Sequence, residues 1–212
     1  MTGVLITLDG PGGVGKSTTH QILAEALSLA GREVLAVVQP SRSVFGQTVR
    51  TLGGTGAMTG RALALAVAAD RHHQLDTEIR PALAAGRTVL LDRYLPSTLV
   101  LQRQDGVDTD FLLAINEGIP IPDLAVVLTA DPQTIHARLD NRGTRHRFER
   151  DIDDTHRELA LYEEAISIVE SIGFPVLRLD VTILDRDAAA AQIFLHCQRT
   201  TATVDRTVPQ PR

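Results

Sequence analysis

Val4-Leu5-Ile6-Thr7-Leu8-Asp9-Gly10-Pro11-Gly12-Gly13-Val14-Gly15-Lys16-Ser17 decides the architecture of this chain. Residues 4–8 are a short apolar run of the kind that forms a buried strand, and a helical pattern sets in within the glycines and continues to residue 30. Residues 10–17 satisfy the Walker A spacing and stand between that strand and that helix, where its mechanism requires it. The glycines let successive backbone N–H groups turn inward around phosphates, and the helix starting near Lys16 adds its positive dipole end. Lys16 reaches the β and γ phosphates and Ser17 holds Mg²⁺. A ligand-free turn would account for the glycines but not for lysine followed by serine at the helix start. The expected donor site is therefore Gly10, Gly12, Gly13, Val14, Gly15, Lys16, Ser17 and Thr18, with ATP and Mg²⁺ as cofactors.

Outward from this loop, strand-like and helix-like segments alternate. Gly31 stops the first helix, residues 33–38 read as a second strand, and an Ala-rich helical pattern over 61–85 ends at Gly86. Residues 88–91, 123–129 and 174–179 supply three more strands. Nearly continuous apolar strands separated by helices imply an α/β fold: a doubly wound, five-stranded parallel sheet covered on both faces. The expected organisation is one domain over 1–199 with a short lid at about 141–151, then a frayed polar tail over 200–212.

Composition agrees with an ordinary globular protein. Of 212 residues, 43% are hydrophobic and 22% charged, and the net charge of -5 argues against a broad nucleic-acid-binding face. The single cysteine, Cys197, excludes an internal disulfide framework and suits a reducing compartment; it reads as a small buried residue on a late helix. No targeting signal precedes the first strand, and no apolar run reaches the roughly 20 residues of a membrane span, so a cytoplasmic protein is expected.

A phosphate loop alone serves kinases, GTPases, motors and synthetases. Thr129-Ala130-Asp131-Pro132 stands where a guanine-reading Asn-Lys-x-Asp would follow the fourth strand, which disfavours a GTPase and leaves a small phosphoryl-transfer kinase as the best fit. Leu90-Leu91-Asp92-Arg93-Tyr94 puts an acid and a base at the C-terminal end of a buried strand, the ligand-facing edge of such a sheet. Asp92 then orients the Mg²⁺ shell or the attacking oxygen while Arg93 clamps an acceptor phosphate; the plainer alternative is a surface ion pair. Asp70-Arg71 inside the long helix is explained by an ordinary solvent-facing ion pair, and adjacent His72 and His73 diverge on a helix and make no metal pair. Arg138, Arg142, Arg145, Arg147 and Arg150 surround Gly143 and form either a flap closing over a phosphoryl group or a solvated basic loop.

In order along the chain, Leu8-Asp9-Gly10, Gln39-Pro40-Ser41-Arg42, Ala69-Asp70-Arg71, Ile79-Arg80-Pro81-Ala82-Leu83, Asp92-Arg93-Tyr94-Leu95-Pro96-Ser97-Thr98, Pro122-Asp123-Leu124 and Arg147-Phe148-Glu149 resemble the thymidylate kinase family of P-loop nucleoside monophosphate kinases. That resemblance implies a homodimer that phosphorylates a nucleoside monophosphate, dTMP foremost, with ATP and Mg²⁺. It implies that Lys16, Asp92, Arg93, Arg142, Arg145 and Arg147 are catalytic and that Ser17 and Asp92 serve the metal. The acceptor would meet Asp9, Arg42, Val67, Arg71, Arg93, Ser97, Thr98, Leu101 and Gln102. This chain departs from the family pattern at Gly12, where many members carry a carboxylate, at Val67 and Leu101, where rings are usual, and at Gln39, which replaces an acid. Those departures motivate two further readings: a relative acting on another nucleotide, nucleoside or small phosphorylated or phosphonate metabolite, and a catalytically silent nucleotide-binding regulator.

Overall fold

The computed structural model describes residues 3–142 and 151–205. Its centre is a parallel sheet of β1 (Val4–Asp9), β2 (Val34–Val38), β3 (Thr88–Asp92), β4 (Leu124–Thr129) and β5 (Val176–Asp180), ordered β2-β3-β1-β4-β5. This is the five-stranded arrangement that the alternating pattern predicts. Along β1 the side chains divide by parity. Leu5 joins one core with Val89, Leu91, Ala125 and Val127, whereas Ile6 and Leu8 join the other with Leu90, Leu124, Val126 and Leu128. Fully burying each such side chain is worth about 1.5–3 kcal/mol, so both faces must be covered.

The first face is covered by α3 (Gly60–Gln74), α4 (Arg80–Ala84), α5 (Leu95–Gln104), α6 (Thr109–Ala114) and α8 (Ile152–Ser171). The second is covered by α1 (Lys16–Leu29), α7 (Pro132–Arg142) and α9 (Arg186–Asp205), with Cys197 buried there as expected. The remaining helix, α2 (Val44–Thr55), packs with α3 around Val49, Leu63 and Val67.

Two boundaries differ from the sequence expectation. The helical stretch expected over 61–85 is broken by a π-helical turn, Leu75–Ile79. Pro81 has no N–H to return to the preceding turn and its ring crowds the carbonyl four residues back, so the helix widens there instead of continuing. α9 continues to Asp205, into the stretch from residue 200 that was expected to be tail. Residues 143–150, most of the expected lid, lie outside the described residues, as do 206–212.

Candidate active site

β1 and β3 are neighbours, and each ends in an aspartate, Asp9 and Asp92. The phosphate loop and the Asp92-Arg93-Tyr94 segment are arranged around these two strand ends.

Gly10 turns the chain out of β1 with φ of 139°, and a Cβ there would lie 2.4 Å from the Leu128 carbonyl oxygen, so only glycine fits. Gly15 caps α1 without any side-chain hydrogen bond, which leaves the first-turn N–H groups around Lys16, Ser17 and Thr18 for phosphate. Lys16 is buried, and its Nζ donates to the Pro11 carbonyl oxygen at 2.6 Å. Burial and the nearby Arg93 charge lower the Lys16 ammonium to about 7, against the opposing pull of Asp92, Glu158 and Asp9.

Ser17 Oγ donates to Asp92 Oδ2 at 3.0 Å, while Asp92 Oδ1 is buried without a partner. A hydroxyl and a carboxylate side by side are hard oxygen donors. Among the described residues no group of three or more His, Cys, Asp or Glu could cage a metal. The pair therefore fits an ion that keeps most of its shell for water and phosphate, which is the habit of Mg²⁺.

Arg93 is the one described non-glycine residue with positive φ, at 73°. A left-handed conformation costs on the order of 1–3 kcal/mol in a residue with a Cβ. It is held from both sides: Arg93 N–H donates to the Leu8 carbonyl at 2.8 Å, and the next N–H, of Tyr94, donates to Asp9 Oδ1 at 2.9 Å. No ion pair joins Asp92 to Arg93, so the surface-pair alternative fails; Asp92 is turned to Ser17, and Arg93 lines the acceptor pocket with Nη1 buried and unpartnered.

Asp9 Oδ1 also accepts the Ser97 N–H at 3.0 Å and the Ser97 hydroxyl at 2.6 Å, which makes it the anchor of the α5 N-terminus. Burial pushes its carboxyl above the ordinary range, opposed by these hydrogen bonds. Tyr162 on α8 completes the support, donating to the Gly10 carbonyl at 2.7 Å with its hydroxyl 3.2 Å from Ser97 Oγ. The phosphate loop and the acceptor wall are thus tied through one buried network.

A pocket open to solvent, on the side where the acceptor is expected, has a lining that includes Val67, Arg71, Arg93, Ser97, Thr98, Leu101 and Gln102. Those seven of the expected acceptor residues come together; Gln39, Pro40 and Tyr94 join them. Asp9 stands behind the pocket and Arg42 is exposed outside it.

The solvent-facing ion pair expected for Asp70-Arg71 is overturned. Both are buried and they part company. Asp70 accepts the Ser41 N–H and hydroxyl, at 2.5 and 2.7 Å, and so fixes the loop after β2. Arg71 donates Nε to Gln39 Oε1 at 2.8 Å, Nη1 to Asn116 Oδ1, and Nη2 to the Tyr94 carbonyl at 3.2 Å and Thr98 Oγ1 at 2.8 Å. Its guanidinium also lies 5.3 Å from the centre of the Tyr94 ring. A buried charge is tolerated only when paired or fully hydrogen-bonded, and these contacts supply that. His72 Nε2 lies 3.2 Å from the Ile115 carbonyl oxygen.

Sequence reading missed Asn116, Tyr162, Glu158 and Arg50. Arg50 on α2 donates to the Pro40 carbonyl, and its guanidinium is lowered by burial and by the charges of Arg93 and Arg42, with Asp92 and Asp70 opposing. Arg50 is therefore within electrostatic reach of Arg93 and Arg42, although it does not line the pocket. One signal was available: the chain has only two tyrosines, Tyr94 and Tyr162, and both support the site. The side chain of Arg142 and all of Arg145 and Arg147 lie outside what is described.

Fold and site together define a P-loop phosphotransferase. Residues 8–172 match the family model for thymidylate kinase. A thymidylate kinase of Clavibacter sepedonicus is 40% identical over 190 residues, 82% of this chain and 90% of that protein. One of Xanthomonas euvesicatoria pv. vesicatoria is 38% identical over 141 residues, 66% of this chain and 62% of that protein. Among solved structures, a thymidylate kinase of Candida albicans superposes with a TM-score of 0.74 at 21% identity, covering 94% of this chain and 93% of its own. The chain belongs to the thymidylate kinase family.

Proposed function

We propose that this chain transfers the γ-phosphoryl group of ATP to dTMP, giving dTDP and ADP. The observation that carries the reading is the dipeptide at the end of β3: Asp92 turns to Ser17 of the phosphate loop while its neighbour Arg93 lines the acceptor pocket, so one strand end joins the donor side to the acceptor side. The acceptor phosphate oxygen already carries charge and needs little help from a base. It attacks the γ-phosphorus, a P–O bond forms, the bond to the β-bridging oxygen breaks, and ADP leaves.

In this reading Lys16 and the loop N–H groups bind the donor phosphates, Ser17 and Asp92 hold Mg²⁺, and Arg93, Arg50 and Arg42 neutralise the acceptor phosphate. When bound, Mg²⁺ offsets the charge that gathers on the transferring group. Arg142, Arg145 and Arg147 add positive charge from the lid side. Arg71, Val67, Leu101 and Gln102 receive the base, and Ser97 and Thr98 hold the α5 wall. A relative with another acceptor and a silent regulator are not favoured, given the family match.

A homodimer is part of the same proposal. Phe45 on α2 and Leu65 on α3 are 46% and 50% exposed, on two helices packed together, and suit burial against a second copy. Sedimentation equilibrium reads this directly, and a monomer at every concentration contradicts it. Among the described residues no helix is long and apolar enough to cross a membrane; the lone cysteine suits a cytoplasmic location.

The testing experiment is ADP release with Mg·ATP against a panel of nucleoside monophosphates, nucleosides and a no-acceptor control. Preferred turnover of dTMP is expected. Preference for another acceptor, or none for any, refutes the reading.

A further inference from the structure

Glu158 on α8 is an acid that the transfer described above does not use, and it is only 5% exposed. Glutamate is almost never buried unless its charge is compensated, so its surroundings define its role. The buried residues of α8 are Thr155, Glu158, Tyr162, Ala165, Ile166 and Val169, whose spacing marks one face of the helix. Tyr162 fixes that face to the site: its hydroxyl donates to the Gly10 carbonyl at 2.7 Å and lies 3.2 Å from Ser97 Oγ. Residues four apart on a helix stand about 5–6 Å from each other at Cβ, which puts Glu158 one turn from Tyr162, at the same junction of phosphate loop and acceptor wall.

Two cations meet at this junction, Lys16 and Arg93. Burial works against both charges, whereas Asp92, Glu158 and Asp9 favour both. Asp9 spends Oδ1 on the α5 N-terminus and Asp92 turns to Ser17. Between Gly10 and Lys16 the loop has no polar side chain of its own. The Arg93 backbone is held at positive φ by hydrogen bonds on either side, yet its Nη1 is buried without a partner. We propose that Glu158 is a positioning residue for the transfer: from α8 its carboxylate holds the Arg93 side chain at the junction, and it acts on the acceptor phosphate only through that guanidinium. This rests on the phosphoryl-transfer reading given above.

Glu158→Gln keeps the shape and removes the charge. Steady-state kinetics with dTMP and Mg·ATP, on protein shown to be folded by its thermal melt, reads the outcome. In the variant kcat falls about tenfold, because Arg93 is no longer held in line. KM for dTMP falls as well, because a negative charge beside the acceptor phosphate is gone. Glu158→Asp, which retains the charge, recovers most of kcat. In an Arg93→Met background Glu158→Gln lowers kcat no further, since both changes act on one group. Any of four results overturns the proposal: an unchanged kcat, a raised KM for dTMP, an aspartate variant no better than the glutamine one, or an undiminished further loss in Arg93→Met. If Glu158→Gln does not fold, Glu158→Met carries the same cycle. Wild-type protein without dTMP turnover overturns the functional reading and this inference with it; a dTMP-active wild type whose Glu158→Gln variant keeps its kcat overturns the inference alone.

Discussion

Ser17 Oγ donates a 3.0 Å hydrogen bond to Asp92 Oδ2 across 75 positions of sequence. The bond exists because β3 pairs directly with β1, whose C-terminal end opens into the phosphate loop. With Asp92 Oδ1 buried and unpartnered beside it, the pair presents an anionic oxygen that a divalent cation would satisfy.

Asp92→Asn keeps the shape of this pair and removes its charge. If it serves the metal, kcat falls on the order of 10²-fold and the Mg²⁺ concentration for half-maximal rate rises. Ser17→Ala added to it costs less than the sum of the two single changes, since both act on one ion. An unaltered Mg²⁺ dependence in Asp92→Asn removes this residue from the metal shell.

Lys16 titrates in the free protein near 7 instead of its ordinary 10.5, chiefly because it is buried. Donor phosphates restore the charged form, so between those two values ATP binding takes up a proton and weakens as pH rises. The unfolded chain holds that proton where the folded one has lost it, so the free protein gains stability from Lys16 as pH rises across the same window. Calorimetry of ATP binding at about pH 8.5, in two buffers of different ionisation enthalpy, measures the uptake. Its absence in the wild type, or its persistence in Lys16→Met, contradicts the assignment.

Asn116 accepts from Arg71 Nη1 and anchors itself by donating Nδ2 to the Leu112 carbonyl at 2.8 Å. Asn116→Leu leaves a buried charged donor unpaired, which costs about 1–3 kcal/mol or somewhat more. Urea unfolding should show that loss, and KM for dTMP should rise with KM for ATP unmoved. A variant of wild-type stability and wild-type KM for dTMP shows that Arg71 is held by its other partners alone.

Gly46 lies in the first turn of α2, where a Cβ would stand 2.4 Å from the Ser41 carbonyl oxygen and 2.7 Å from Asp70 Oδ1. Alanine is the better helix former by about 1 kcal/mol. Forcing apart a backbone oxygen and a buried carboxylate costs typically about 1–3 kcal/mol, so the clash outweighs the propensity. Gly46→Ala should therefore lower the melting temperature and, by moving the Ser41 loop, raise KM for the acceptor. A stabilised variant means that the loop yields freely.

What the sequence by itself determined is what short-range physics controls. Short, nearly continuous apolar runs placed the five strands, Gly31 and Gly86 marked helix ends, and the donor loop was readable because eight consecutive residues carry the Walker A spacing. The family resemblance extended that to the acceptor residues, and the pocket lining includes seven of them. Tertiary structure alone decided how Asp70 and Arg71 act. Adjacent opposite charges on a helix look like a surface pair, yet Asp70 serves Ser41, 29 positions away, and Arg71 serves Gln39 and Asn116, 32 and 45 away. A buried charge requires partners from every element packed around it, and no local pattern records which elements those are.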